Sequence, residues 1–241
     1  MHELTKLKRQ EVSELAPEAI AVLPIGSHEQ HGEHLPLGTD TMLVEAVARQ
    51  AFRSRADVVL CPALPYGFSD HHQFSSALSL QPDTLLAVLS QLIDSLVKTG
   101  FRRILLLNGH GGNVEMMSQS IKLASLRYQI IVASCSYWDL VAPSPEIPGH
   151  AGRFETDLMS AVHPDSVGSI RAGPAKPPIF IQTMVPGLHI ERHGEWARSE
   201  GVTDLPGKGN KTKGEALFTS AAAALESCVE VLLNTALPSY G

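Results

Sequence analysis

Four stretches of this 241-residue chain constrain its fold most: AIAVLPIG (19–26), DVVLCPAL (57–64), RRILLLNG (102–109) and QIIVASCS (129–136). Each is almost wholly apolar and rich in Val, Ile and Leu. A strand with one wet face alternates apolar and polar residues, whereas a continuous apolar run marks a strand covered on both faces. Helical patterns lie between them. Thr41–Arg53 carries Leu43, Val44, Val47 and Ala48 on one stripe, and Asp83–Lys98 carries Leu85, Leu86, Leu89, Leu92, Ile93 and Leu96. Gly100 beyond it is a C-terminal stop. Val114–Leu126 and Phe154–Val162 continue the series, and a last helix over Lys213–Leu233 closes the chain. The alternation predicts an α/β fold, a three-layer sandwich whose mostly parallel central sheet has helices on both faces. The segment from Pro164 to Gly209 is rich in Pro and Gly and reads as long loops with room for a hairpin. Residues 1–241 are therefore read as a single domain.

Composition removes several classes of function. The formal net charge is −6 with no block of like charges, and nucleic-acid binding needs a basic stripe. No uninterrupted apolar run reaches the roughly 18 residues of a membrane span. MHELTKLKRQEVSEL lacks the apolar core of a secretory signal. Cys61, Cys135 and Cys228 are odd in number, far apart and without a CxxC pair. They read as reduced core thiols of a cytoplasmic protein.

Ligands of open parallel sheets bind outside the carboxyl ends of the strands. Seven of the eleven histidines follow those ends: His28, His31, His34, His71, His72, His110 and His150. The densest segment is GSHEQHGEHLPLGTD, from Gly26 to Asp40. Glu29 and His31 are two residues apart and point to one side of an extended chain. Pro36 and Gly38 let the chain turn back to Asp40, and His110 arrives from another strand end. Imidazoles with carboxylates suit zinc, manganese or iron, and the absence of thiolates argues against a structural zinc site. A bridging carboxylate lets such a set hold two ions about 3.5–4 Å apart, which activate a water and polarise a carbonyl.

Blander readings compete. A lone histidine after a strand is more often a hydrogen-bonded structural residue, and His28 and His34 are read so, with Glu33 as solvated. NGHGGN (108–113) could cradle a phosphate on backbone N–H groups. It lacks the Lys and Ser or Thr of a Walker loop and does not meet G-x-G-x-x-G, so a nucleotide-binding protein stays only an alternative. In HAGRFET (150–156), Glu155 falls in a first helical turn, where a carboxylate is favoured without any metal. His150 there has the bland reading of a loop histidine.

Three segments, LPIGSHEQHGEHLPLGTD, LLLNGHGGN and GHAGRFETDLM, closely resemble the signatures of the creatininase (creatinine amidohydrolase) family. The match in order and spacing covers the first 160 residues; the C-terminal third is only loosely similar. The resemblance implies a parallel-sheet fold, a two-metal centre, hydrolysis of a C–N bond in a cyclic amide or formamide of a small molecule, and a homo-oligomer, often a hexamer. It implies that Glu29, Asp40 and His110 hold one divalent ion, and that His31, Asp40 and a further carboxylate hold the other. The ions are zinc, manganese or iron, two per chain. It makes His150 the acid–base residue. Creatininase itself has a glutamate two residues after the histidine of NGHGGN, where this chain has Gly112; Glu155 is expected to fill that gap. The segment YGFSDHHQFSSALSL (66–80) also departs from the family, with His71 replacing an acidic residue while His72 keeps its position. Ser69, His71, His72, Gly111, Gly112 and Trp138 are the expected substrate contacts, and Trp196 is a second candidate wall. The alternative reaction is cleavage of a ring C–C bond beside a ketone, as in a keto-inositol. A non-catalytic metal-held binding protein is disfavoured by His150.

Overall fold

The structure is a computed structural model that describes residues 1–141, 149–169, 190–203 and 207–239. Five strands, β1 (His2–Glu3), β2 (Ile20–Ile25), β3 (Val58–Leu60), β4 (Arg103–Asn108) and β5 (Ile131–Ser136), form a sheet in the order β1-β3-β2-β4-β5. Every pair in it is parallel. Among the described residues the α-helices are α1 (Arg9–Leu15), α2 (Thr39–Phe52), α3 (Pro82–Thr99), α4 (Val114–Arg127), α5 (Arg153–Val162), α6 (Glu195–Arg198) and α7 (Lys211–Asn234).

Strand alternation feeds two separate cores. Ile20 and Val22 of β2 pack with Leu43 and Val47 of α2, Leu158 of α5 and Leu225 of α7. Ala21, Leu23 and Ile25 face the other way, against Leu85, Leu89 and Ile93 of α3 and Met117 and Ala124 of α4. The continuous apolar runs are thus explained: both faces of the central strands are covered, and each fully buried aliphatic side chain contributes about 1.5–3 kcal/mol. In α3, Pro82 sits in the first turn, and Gly100 (φ 114°) takes the left-handed cap, its N–H turned back to the Leu96 and Val97 carbonyls.

Some details differ from expectation. Strand β3 covers only three residues; the ladder runs as far as Cys61 N–H to Val22 O, and Pro24 of β2 has no N–H for the next rung, so the run resumes as a lone bridge between Leu64 and Ile25. The two-residue β1 is too short to leave a pattern. Helix α2 begins at Thr39 and so places Asp40 in its first turn. Of the expected loop from Pro164 to Gly209, residues 170–189 and 204–206 lie outside the described ones; α6 adds a short helix to the rest. Helix α7 is long and apolar enough to cross a membrane by length and composition, although no uninterrupted apolar run revealed it. Here it packs Ala221, Ala222, Leu225 and Val229 into the core, while Arg55 pairs with its Glu226 and Glu230. The cysteines also differ from the reading as core thiols. Cys61 is buried, but Cys135 and Cys228 are only half-buried.

The order of strands sets the site. The chain leaves β2 across one face to reach β3, then crosses the other face to β4 on the far side of β2. The carboxyl ends of β2 and β4 therefore flank the crevice at the switch point of the sheet.

Candidate metal centre

The loop after β2 carries its side chains into that crevice. Backbone bonds from Glu29 N–H to Leu37 O (3.0 Å) and from Gln30 N–H to Ser76 O (2.7 Å) pin it. Glu29 and His31 are fully buried, and Asp40 is 2% exposed. An acidic residue in the first turn of a helix is favoured by the helix dipole, but a carboxylate buried this deeply also needs a specific partner.

Asp40 has one on each oxygen. Its Oδ2 lies 2.9 Å from His110 Nδ1 and accepts from Ser27 Oγ at 2.7 Å. Its Oδ1 lies 3.0 Å from His31 Nε2. Around Oδ2, Glu29 Oε1 is 3.3 Å from His110 Nδ1. Around Oδ1, Glu155 Oε1 is 3.8 Å from His31 Nε2. Of four candidate ligand groups among the described residues, two, Glu29–Asp40–His110 and His31–Asp40–Glu155, share Asp40; the other two, Glu29–His31–His150 and Glu29–His71–His72, lack it. Glu155 also meets its helix-start reading, since its other oxygen, Oε2, accepts from Ala151 N–H at 2.6 Å.

Backbone carbonyls decide which ring nitrogen of each histidine faces the centre. A carbonyl only accepts, so the nitrogen touching it carries hydrogen. His31 Nδ1 donates to Glu29 O (2.9 Å), His110 Nε2 to Phe68 O (2.8 Å) and His150 Nε2 to Gln30 O (2.7 Å). The opposite nitrogen of each ring is left to face the carboxylates, the arrangement that outer hydrogen bonds impose on metal-binding histidines.

Electrostatics agree. Burial opposes ionisation of Glu29 and Asp40, yet His110 beside Glu29, and His31 and His110 beside Asp40, hold both carboxyls well below the usual range. Burial likewise opposes charge on His31, but Asp40 raises it to about 10. Against the same burial, Glu29 and Asp40 raise His110 well above its ordinary value. Burial pushes Glu155 up to about 8. His150 is lowered to about 4 by burial and by His31.

The residues fit a metal. Both oxygens of Glu29 are buried without a hydrogen bond, although His72 Nε2, His110 Nδ1 and His150 Nδ1 stand 3.3–3.4 Å from Oε1. Atoms arrayed tetrahedrally at about 2.1 Å from one ion lie about 3.4 Å from each other. An orphaned carboxylate whose Oε1 stands at that spacing from His110 Nδ1 matches the chemistry of a divalent site.

Comparison with known proteins decides the family. Residues 5–229 match the creatininase family, described as creatinine amidohydrolase. The chain belongs to the creatininase family. It is 32% identical to creatinine amidohydrolase of Pseudomonas putida over 197 residues, covering 72% of this chain and 75% of that one. It is 31% identical to the mycofactocin precursor peptide peptidase of Mycobacterium tuberculosis over 222 residues, covering 86% and 82%. The crystal structure of a creatininase superposes with a TM-score of 0.82 at 26% identity, over 97% of this chain and 98% of that chain. Similar structures include one described as creatininase Mn and a mutant creatininase of Zn–Zn type.

Within this creatininase-family fold, a cavity of about 860 Å³ opens onto the two ligand sets. Phe68, Tyr137, Trp138, Phe154 and Trp196 provide its aromatic wall, and Glu29, Asp40, His110, His150 and Glu155 its polar end. Of the expected substrate contacts, His71, Gly111, Gly112 and Trp138 line it. Ser69 and His72 are fully buried just behind; Ser69 Oγ lies 3.4 Å from His110 Nε2. Burial lowers His71 to about 4, and burial with His150 lowers His72 to about 2. His28 and His34 hydrogen-bond to Pro65 O (2.8 Å) and Thr156 Oγ1 (2.9 Å), away from both ligand sets. Gly112 has a stereochemical cause. A Cβ there would lie 2.2 Å from Phe68 O and 2.5 Å from His110 Nε2, so a glutamate at 112 has no room in this chain.

His150 is clamped from the other side. Its N–H donates to Thr203 Oγ1 (2.6 Å), and its carbonyl accepts from Thr203 N–H (3.1 Å). Ala151 next to it has φ 53°, a left-handed conformation uncommon for alanine and typical of strain kept at functional sites. Phe68, Phe154 and Thr203 escaped the sequence reading, and so did two residues beside them. Tyr137 sits at the end of β5 with no motif to mark it. Gln30 lies between Glu29 and His31, where strict alternation would turn it away, yet it is 6% exposed.

Proposed function

We propose that this creatininase-family hydrolase cleaves an amide C–N bond, in a cyclic amide or formamide of a small molecule, with two divalent ions of zinc, manganese or iron per chain. The observation that carries the reading is Asp40, with one carboxylate oxygen in each ligand set. Glu29, Asp40 and His110 would hold one ion, and His31, Asp40 and Glu155 the other. Bound there, such a pair lowers the pKa of water and polarises a carbonyl oxygen.

The side chains do the remaining work. His150 has its Nε2–H on the Gln30 carbonyl, and its Nδ1 lies 3.3 Å from Glu29 Oε1. Nδ1 takes a proton from the attacking water and gives it to the leaving nitrogen. The water oxygen bonds to the carbonyl carbon and the C–N bond breaks, giving a carboxylic acid and an amine, which stay on one molecule where the amide is cyclic. The N–H groups of Gly111 and Gly112 stabilise the developing oxyanion. His71, Trp138 and Trp196 hold the body of the substrate, with Ser69 and His72 supporting the site from behind.

A second amide substrate has support. The cavity is in the upper part of the range of about 300–1,000 Å³ that suits drug-sized ligands, and one relative with wide coverage is a peptide peptidase. A short peptide therefore joins the panel. The test pairs metal content by elemental mass spectrometry, on wild type and Asp40→Ala, with turnover of a cyclic amide, a formamide, a short peptide and a keto-cyclitol. Two metals with amide turnover is the expected result. Turnover of the keto-cyclitol alone would move the reading to ring C–C cleavage. No metal in either protein, even after supplying zinc, manganese or iron, would refute the mechanism and favour NGHGGN as an anion loop. The homo-oligomer, a hexamer by resemblance, belongs to the same proposal and is tested by light scattering.

A further inference from the structure

Gln30 is held by two backbone groups that settle which end of its amide is which. Gly32 N–H donates to Oε1 at 3.0 Å, and Nε2 donates to Gly201 O at 3.2 Å. Turning the amide over would oppose two donors at Gly32 and two acceptors at Gly201. Gly201, at φ 70°, packs so tightly on the amide that an added Cβ would meet Nε2 at 1.9 Å. The NH₂ end is therefore the one that faces His72 Nδ1, at 2.8 Å.

An amide NH₂ cannot accept a hydrogen bond, so His72 Nδ1 must be the acceptor and its ring hydrogen sits on Nε2. His150 Nε2 is also 3.2 Å from the amide nitrogen, but its own hydrogen goes to the Gln30 carbonyl. Both amide hydrogens are already spent on His72 and Gly201. His72 Nε2 is buried, has no hydrogen-bond partner among the described residues, and lies 3.4 Å from the equally orphaned Glu29 Oε1. Proximity alone would group His72 with Glu29 and His71 as a further ligand set. A ring nitrogen that carries hydrogen cannot ligate, and the amide excludes the other tautomer.

We propose that Gln30 selects the Nε2–H tautomer of His72 and so makes His72 a hydrogen-bond donor that orients Glu29, not a metal ligand. Gln30 and His72 are positioning residues acting through Glu29, and their effect on metal affinity rests on the metal centre proposed above. Outer hydrogen bonds of this kind change metal affinity about 10–100-fold.

The test is nitrogen-15 NMR of protein labelled at histidine, metal-free and zinc-loaded, with His72→Gln used to identify the His72 signals. The wild type should show an unprotonated Nδ1 and a protonated Nε2 in both states. In Gln30→Glu, whose carboxylate accepts, the hydrogen should move to Nδ1 and zinc affinity should fall about 10–100-fold. His72→Gln, which keeps a donor toward Glu29, should hold zinc more tightly than His72→Leu. A wild-type His72 protonated at Nδ1, one that loses its Nε2 hydrogen on zinc loading, or equal zinc loss in the Gln and Leu variants would overturn the proposal. The wild-type spectra decide even if Gln30→Glu does not fold. None of these readouts uses turnover. A protein inactive on every amide would sink the proposed reaction and leave this inference standing.

Discussion

Replacing Gly112 by alanine puts one methyl group into a hydrogen bond. The new Cβ would lie 2.2 Å from Phe68 O and 2.5 Å from His110 Nε2, where unstrained carbon–oxygen contacts are about 3.3 Å or more. The obstructing atoms are a backbone carbonyl and a ring held 2.8 Å from it, so neither swings away freely. Opening a gap of about 1 Å breaks the bond that keeps hydrogen on His110 Nε2 and turns Nδ1 toward Glu29 and Asp40. Overpacking costs about 1–3 kcal/mol and the lost hydrogen bond about 1 kcal/mol. At about 2–4 °C per kcal/mol for a chain of this size, Tm should drop by about 4–16 °C. Metal affinity of the Glu29–Asp40–His110 set should fall about 10–100-fold, as for other losses of an outer hydrogen bond. Calorimetric unfolding of the metal-free protein and zinc titration read the two effects separately. Wild-type Tm with unchanged zinc affinity would refute the reasoning. The same crowding means that Gly112→Glu, in a Glu155→Gln background, should not restore a second metal.

Other outcomes follow from the same geometry. Glu155→Gln should keep the fold and lose about one of the two metals, read by elemental mass spectrometry; two retained metals would remove Glu155 from the ligand set. His150→Ala should keep both metals and lose about 10²–10⁴-fold in kcat; metal loss with activity rescued by excess metal would reassign His150 as a ligand. Metal uptake should release protons at pH 7, because the metal-free site holds them on His31, raised to about 10, and on Glu155, raised to about 8. Ligands must shed those protons, so affinity should rise with pH from neutrality toward about 10, and calorimetry in buffers of different ionisation enthalpy should show the release. Leu89→Ala, at a fully buried position of α3, should cost about 2–5 kcal/mol, measured by denaturant unfolding with metal content unchanged.

Much of this architecture is local and was legible. The unbroken apolar runs of β2 and β4 announce strands covered on both faces, and parallel strands with helical crossovers place the ligands at their carboxyl ends. Glu29, His31, Asp40 and His110 could be read because they crowd the turns at two such ends. Glu155 was ambiguous for a physical reason: a carboxylate in a first helical turn is stable with or without a metal. Only the packing of α5 beside α2 brings its Oε1 to within 3.8 Å of His31. Gly112 looked like a missing ligand until the Phe68 carbonyl was in place to show that no side chain fits. The histidine tautomers lay furthest from the sequence. His31 takes its tautomer from the Glu29 carbonyl two residues back, but the others are chosen by groups outside their own motifs, a carbonyl 42 residues away for His110 and 120 residues away for His150, and the Gln30 amide for His72. Residue type and strand order determine which atoms can gather at this edge of the sheet. Which nitrogen of each ring carries the hydrogen depends on acceptors and donors that meet it only once the chain has folded.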